Sequence, residues 1–349
     1  MHIFDYDKAP ASLLTPEITA LLVAIHEFKG KQDFFLNAKE EVLNALAEVS
    51  KAMSVESSNR IEGVNAPGYR FKYIVQQDAA PRNDDELAIL GCREAYSMVM
   101  DGYTNLPPNE ETILRLHGIL FSRLPQSESG VWKSCDTSIT EIDGEGRESV
   151  WFRTVSAEDT PMAMRLLCNE YAKAIQRGDH NQLLLAIMFV FDFLCIHPFL
   201  DGNGRMSRLL TFLLMSRSGY VVGKYVSVDR LVEDSRPEYY ESLRQSSVMW
   251  HESQNDLRPF VTFMLGIVLK AYRELESRVN GLIHEHTSKS DRIRNVVLAS
   301  VGTVAKKDIM YRCPDISVGM VEATLRKMQD EGVIFKTGNG RGTAYAKVE

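Results

Sequence analysis

The stretch "CIHPFLDGNGRMSRLL", from Cys195 to Leu210, decides how this sequence is read. It sets one histidine, one carboxylate, two glycines about an asparagine, and two arginines between apolar segments. Glycines either side of Asn203 let the backbone turn tightly and bring N–H groups close to a ligand. The segment "RMSRLLTFLLMSR" that follows has helical spacing, so the turn feeds a helix N-terminus, where unpaired N–H groups and the dipole favour an anion. Arg205 and Arg208 are three apart and share one side of that helix. Two guanidinium forks beside such a nest suit a polyphosphate better than a single phosphate. Asp201, bare, would repel phosphates, so it reads as a Mg²⁺ ligand. His197, at the end of an apolar run, is placed to act as a general base. Together these are the parts for in-line displacement at phosphorus.

The rest of the chain frames that stretch. With 349 residues, 44% apolar and 25% charged, it is long enough for one large domain and one or two smaller ones. A net charge of -7 gives no whole-protein affinity for nucleic acid or an anionic membrane. The cysteines at 92, 135, 168, 195 and 313 are widely spaced and form no CxxC pair, so neither a zinc site nor a disulfide framework is expected. Reduced thiols and a cytoplasmic location follow. "MHIFDYDKAPASLL" carries no basic-then-apolar leader, so no signal peptide is expected. The most apolar run, "LLLAIMFVFDFLCI", is broken by Asp192 and is too short to span a membrane. It predicts a buried helix.

Most other segments have apolar residues at three- and four-residue spacing and predict helices, among them "DDELAILGCREAYSMVMDGY", "NEETILRLHGILFSRL" and "DTPMAMRLLCNEYAKAIQRG". Asn83-Asp84 ahead of Glu86 and Asp159-Thr160-Pro161 mark two starts. "GVWKSCDTSITEIDGEGRESVWFRTV", residues 130–155, differs: two β-branched and aromatic stretches flank a DG turn, predicting a hairpin that must lie against something to be stable. The last sixty residues predict three short helices, then two strands about the tip "GNGRG", the order of a winged helix. Residues 285–349 hold 11 Lys+Arg against 8 Asp+Glu, and Arg326, Lys327 and Arg341 are the cations of that unit's helix and tip. DNA contact would need a clearer basic stripe.

"HPFLDGNGRMSR" matches all eight fixed positions of the Fic motif, HxFx(D/E)GNGRxxR, and the chain resembles the Fic family from about Pro108 to Arg273. The resemblance implies a mainly α fold: a Fic-type helical bundle with a β-hairpin flap, followed by a small winged-helix domain. It divides the chain into 1–105, an N-terminal helical region with an inhibitory helix, 106–280, the catalytic core, and 285–349, the winged helix. It implies a protein adenylyltransferase that moves AMP from ATP to a Ser, Thr or Tyr hydroxyl of a protein. His197 would take the hydroxyl proton and Asp201 would hold Mg²⁺. Gly202, Asn203 and Gly204 would line the anion hole with Arg205, and Arg208 would grip the γ-phosphate. Tyr239 or Tyr240 would line the adenine pocket. The segment 132–152 would be the flap that docks a protein substrate by strand pairing. Gly204, where kinase-like relatives carry lysine, fits the adenylylating orientation.

Upstream, "SSNRIEG" (57–63) resembles the Fic inhibitory pattern (S/T)xxxE(G/N), with Ser58, Glu62 and Gly63 in place. By that resemblance Glu62 pairs with Arg208 and competes with the γ-phosphate. The residues alone also allow a capped surface helix ending at Gly63. AMP removal and a nucleotide-sensing DNA-binding regulator are the alternative functions. Self-modification, a homodimer and DNA contact through the winged helix stay open.

Overall fold

The structure is a computed structural model that describes residues 2–32, 40–76, 79–124, 128–142, 148–286, 288–298, 300, 303–313, 316–338 and 343–348. It separates into two compact units, Met1–Leu275 and Glu276–Glu349.

The larger unit is built around the helix Gln182–Ile196. Thirteen of its fifteen residues are buried, Asp192 among them, which is why its sequence is apolar all round rather than on one stripe. Asn181 caps its start by accepting the Leu184 N–H. Asp192 is affordable there because its two oxygens accept from Tyr6 Oη and Trp250 Nε1, each at 2.9 Å. The helices Asn203–Arg217 and Thr160–Arg177 pack on it, and Asp84–Gly102 packs on Asn203–Arg217 in turn. The Asn83 side chain caps Asp84–Gly102 as expected, accepting the Glu86 N–H at 2.9 Å. At Thr160–Arg177 the proline lies in the first turn, but Asp159 makes no cap; its carboxylate accepts instead from the Ser156 hydroxyl at 2.7 Å.

The helix Glu40–Ile61 carries the upstream motif across the bundle and lies against Val228–Asp234 and Asp84–Gly102. It ends in a Schellman closure. Val64 N–H donates to Asn59 O and Gly63 N–H to Arg60 O, each at 3.0 Å, with Gly63 at φ 79°. That closure fixes Glu62 as the last residue before the turn.

The expected hairpin is present as β1 (Ser138–Ile142) and β2 (Glu148–Arg153), antiparallel, with a bulge between Ile139 and Thr140. Its DG turn lies outside the described residues. The extended flap from Trp132 is a correction: Trp132 to Thr137 is not strand, because Trp132 stacks on Phe199 at 5.4 Å and holds that segment on the bundle. The hairpin does lie against something. Phe152 is buried edge-on to Trp250 and stacked on His251, while His251 Nε2 bonds Arg153 O at 2.7 Å.

The smaller unit holds the helices Lys289–Leu298, Lys306–Arg312 and Val318–Asp330 with β4 (Ile334–Thr337) and β5 (Ala344–Lys347). A strand not foreseen, β3 (Val304–Ala305), completes an antiparallel sheet in the order β3-β5-β4. Ile293, Val297, Ile309, Val321, Leu325, Met328 and Ile334 form its own core. Arg341 and most of the tip lie outside the described residues.

Candidate active site

His197 is the residue at which the central helix stops. Its backbone is left-handed, φ 54° and ψ 61°, and its N–H still closes on Phe193 O at 3.0 Å. A histidine in that conformation costs about 1–2 kcal/mol relative to a right-handed one, so the surrounding loop must enforce it. Phe199 is fully buried and anchors the loop, stacked flat on His117 at 3.7 Å between ring centres. Gly130 N–H donates to His117 Nδ1 at 3.0 Å, which leaves the ring proton on Nε2 to donate to Asp201 O at 3.1 Å. Burial pulls the His117 imidazole down to about 4, so it stays neutral in this structural role.

The turn is closed by Asn203. Its side chain accepts the Phe199 N–H at 3.0 Å and donates to Phe199 O at 2.7 Å. The amide is therefore spent within the loop, and what this turn offers a ligand is backbone. Gly202 needs its missing side chain: φ is 82° and a Cβ would sit 2.4 Å from the Phe121 ring. Gly204 opens into the cleft, and a Cβ there would lie 2.1 Å from Glu62 Oε1.

The two arginines are both buried and differently engaged. Arg208 Nε donates to Ser58 Oγ at 2.9 Å, and Nη2 donates to Ser58 O at 2.8 Å and Glu62 Oε1 at 2.9 Å. Asp229 Oδ1, itself accepting from Tyr96 Oη at 2.5 Å, stands 3.9 Å from Arg208 Nε. Burial opposes the Arg208 charge, and the surrounding Glu62, Tyr239 and Asp229 outweigh it, holding its proton more tightly than usual. Arg205 touches Asp201 Oδ2 at 3.3 Å and lies over the Phe121 ring, but its Nε and Nη1 find no acceptor among the described residues. Buried guanidinium N–H groups without acceptors are costly, and an anion in the cradle would satisfy them. Asp201 itself is three-quarters exposed, with Oδ1 taking the Gly202 N–H at 2.5 Å.

Glu62, His197, Gly204 and Arg208 share one cleft of about 700 Å³, a size suited to a small-molecule ligand. His197, Gly204, Arg208 and Glu62 form one part of its wall. Tyr239 and Tyr240 form another, with Pro237 and Leu243, and Ile139, Thr140, Trp151 and Phe152 of the hairpin close a third. Burial, with the Lys133 cation alongside, pulls the His197 imidazole down to about 4, leaving it free to take a proton at neutral pH. Of the sequence candidates, Glu62, His197, Gly204, Arg208, Tyr239 and Tyr240 line this cleft, with Tyr239 buried and Tyr240 partly exposed, while Ser58 is bonded to Arg208 and Gly63 closes the helix behind Glu62. Three supporting residues were not foreseen. His117 and Asp229 meet the loop and Arg208 from distant elements, and Lys133 reaches the loop through hydrogen bonds. No local pattern marks any of them.

Comparison with known proteins meets the same residues. Residues 107–215 match the model of the Fic/DOC family, so the chain carries a Fic/DOC family domain. Over part of its length the chain is a distant relative of protein adenylyltransferases. It is 33% identical over 107 residues to Protein adenylyltransferase Fic of Drosophila erecta, covering 28% of this chain and 19% of that protein. It is 35% identical over 102 residues to Protein adenylyltransferase fic-1 of Caenorhabditis elegans, covering 29% of this chain and 16% of that one. The match thus spans under a fifth of the length of these relatives. Among solved structures, a Fic family protein from Desulfovibrio desulfuricans G20 superposes over 96% of this chain and 97% of its own, with a TM-score of 0.61 and 22% identity. A Fic domain containing signaling protein from Bacteroides thetaiotaomicron VPI-5482 covers 74% of this chain and 97% of its own, with a TM-score of 0.63 and 21% identity. The fold is therefore the mainly helical Fic fold with its β-hairpin. No described helix is long and apolar enough to cross a membrane.

Proposed function

We propose that this chain is a protein adenylyltransferase, transferring AMP from ATP to a Ser, Thr or Tyr hydroxyl of a protein, and that Glu62 restrains it. The observation that carries the proposal is the single cleft in which a neutral His197, the Gly204 backbone and the Arg208 guanidinium converge. The match of residues 107–215 to the Fic/DOC model, and the partial likeness of the chain to proteins named as adenylyltransferases, support the choice of reaction.

His197 accepts the proton of the target hydroxyl as its oxygen attacks the α-phosphorus. The bond to the pyrophosphate oxygen breaks, and pyrophosphate leaves with its charge on the cradle amides and Arg205. Arg208 holds the terminal phosphate and so aims the α-phosphorus at the incoming oxygen. Tyr239 and Tyr240 offer the apolar wall for the base. Asp201 fits a Mg²⁺ ligand: one exposed carboxylate, whose Oδ2 has only a long contact to Arg205, beside a cradle whose bound phosphates would supply further oxygens. Bound there, Mg²⁺ would neutralise phosphate charge. The exposed edges of the hairpin suit docking of an extended target segment.

Restraint follows from geometry. The Glu62 carboxylate, bonded to Arg208 Nη2 at 2.9 Å, would repel a phosphate brought to the same guanidinium, and it also fills the space in front of Gly204. We read the Glu276–Glu349 unit as a winged-helix module for docking protein. Lys306 is already tied to Glu322 and Arg294 to Glu331, which spends cations that DNA would need.

The test uses ATP labelled on either the α- or the γ-phosphate. Glu62→Gly should become labelled, or label a target in lysate, from the α-position only, and by about 10- to 100-fold over the parent. That range corresponds to removing one charge-assisted hydrogen bond from a competitor. Labelling from the γ-position would mean phosphoryl transfer. Release of AMP from a modified protein by the parent, abolished in Glu62→Gly, would favour AMP removal.

A further inference from the structure

Lys133 is 3% exposed and lies on neither the motif nor the hairpin strands, yet its donors reach both. Its main-chain N–H donates to Pro198 O at 2.9 Å. Its ammonium donates to Ile196 O at 3.2 Å, to Thr154 Oγ1 at 2.8 Å and to Thr137 Oγ1 at 3.3 Å. One residue thus holds the carbonyls immediately before and after His197. The two threonines are the residues just before β1 and just after β2, and they are bonded to each other at 2.9 Å. All three ammonium protons have an acceptor, so the buried cation is paid for by hydrogen bonds rather than by a carboxylate.

We propose that Lys133 is a positioning residue for His197, clamping the left-handed backbone of the histidine and tying both legs of the hairpin to it. The inference rests on the proposed AMP transfer for its consequence, and on hydrogen bonds alone for its geometry. Two features support it. The first is that a left-handed non-glycine residue persists only when its surroundings over-determine it, and Lys133 grips both flanking carbonyls. The second is electrostatic. Burial and the Lys133 cation disfavour the protonated form of the imidazole, against the weaker opposing pull of Leu194 O, Glu62 and Asp201. The lysine is itself faced by Asp136 and Cys135, and burial brings its own pKa down to about 8. A cation at this place keeps the base in its proton-accepting form, and the clamp keeps it aimed.

The test is histidine-labelled NMR of the whole chain, with the His197 signal assigned by its loss in His197→Ala. In Lys133→Met the His197 titration should move up toward that of an ordinary histidine. In Lys133→Arg it should stay with the parent. The same variants in a Glu62→Gly background give the second readout. Lys133→Met should lose on the order of 10²-fold in the rate of AMP transfer, the scale of a misplaced catalytic group, while KM for ATP stays unchanged and Lys133→Arg restores the rate. Should Lys133→Met fail to fold, Lys133→Gln, which keeps donors and drops the charge, is measured instead. An unmoved His197 titration in a folded Met or Gln variant overturns the proposal. If the titration moves while no variant transfers AMP, the clamp stands and the proposed reaction falls.

Discussion

Arg205 and Arg208 leave one helix three residues apart, both buried, and meet opposite surroundings. Arg208 is enclosed by Ser58 and Glu62 from the N-terminal side and by Asp229 from the helix Val228–Asp234, so each of its short contacts is internal to the protein. Arg205 keeps two N–H groups without an acceptor among the described residues, beside an exposed Asp201. Half of the anion site is thus occupied by the protein's own carboxylate and half stands ready. The difference teaches where the proposed restraint would act: on the guanidinium proposed to aim the terminal phosphate and on the space in front of Gly204, both met by Glu62, while Arg205 keeps its donors.

The comparison can be broken most decisively at the base. In a Glu62→Gly background, His197→Ala should lower AMP transfer by about 10² to 10⁴, with nucleotide binding retained; equal transfer would remove His197 from the chemistry. Arg205→Ala in the same background should weaken ATP binding by roughly 10- to 100-fold, as expected for charged hydrogen bonds lost, read by calorimetry. An unchanged affinity would mean its free donors serve something other than nucleotide. Ser58→Ala removes one of the bonds that hold Arg208 toward the N-terminal helix and leaves Glu62 in place. It should release activity by several-fold at most, and a release as large as that of Glu62→Gly would shift the restraint from the glutamate to the serine.

The smallest effect concerns pH. His117 and His197 are both held down to about 4, by burial first. As pH falls, the unfolded chain takes up protons near roughly 6.5, before the folded chain does. Stability is therefore full above that pH and declines between it and about 4. Urea midpoints at pH 7 and 5 should differ in the parent, and less so in His117→Gln.

The loop chemistry was legible because its parts are close in sequence. Gly202, Gly204 and the arginine pair read directly as a turn onto a helix N-terminus, and the buried helix read from an apolar run that only Asp192 interrupts. Glu62 was legible only through a resemblance, since it meets Arg208 from 146 positions away. His117 and Lys133 carried no signal at all. Each acts through main-chain carbonyls of the loop, and a carbonyl leaves no mark in a sequence. Asn203 was read as lining the anion hole, a part left to its backbone, since its side-chain amide is turned onto Phe199 to satisfy the buried polar groups of the tight turn. The β3 strand escaped notice because two residues are too few to show alternation.

The most direct measurement is a pair of crystal structures with ATP and Mg²⁺, one of the parent and one of Glu62→Gly. The expected result is Arg208 on the terminal phosphate only in the variant, with the α-phosphorus turned toward the space in front of His197. If Arg208 stays on Ser58 with no phosphate contact in the variant, or if ATP lies identically in both, competition for this guanidinium is not what restrains the protein.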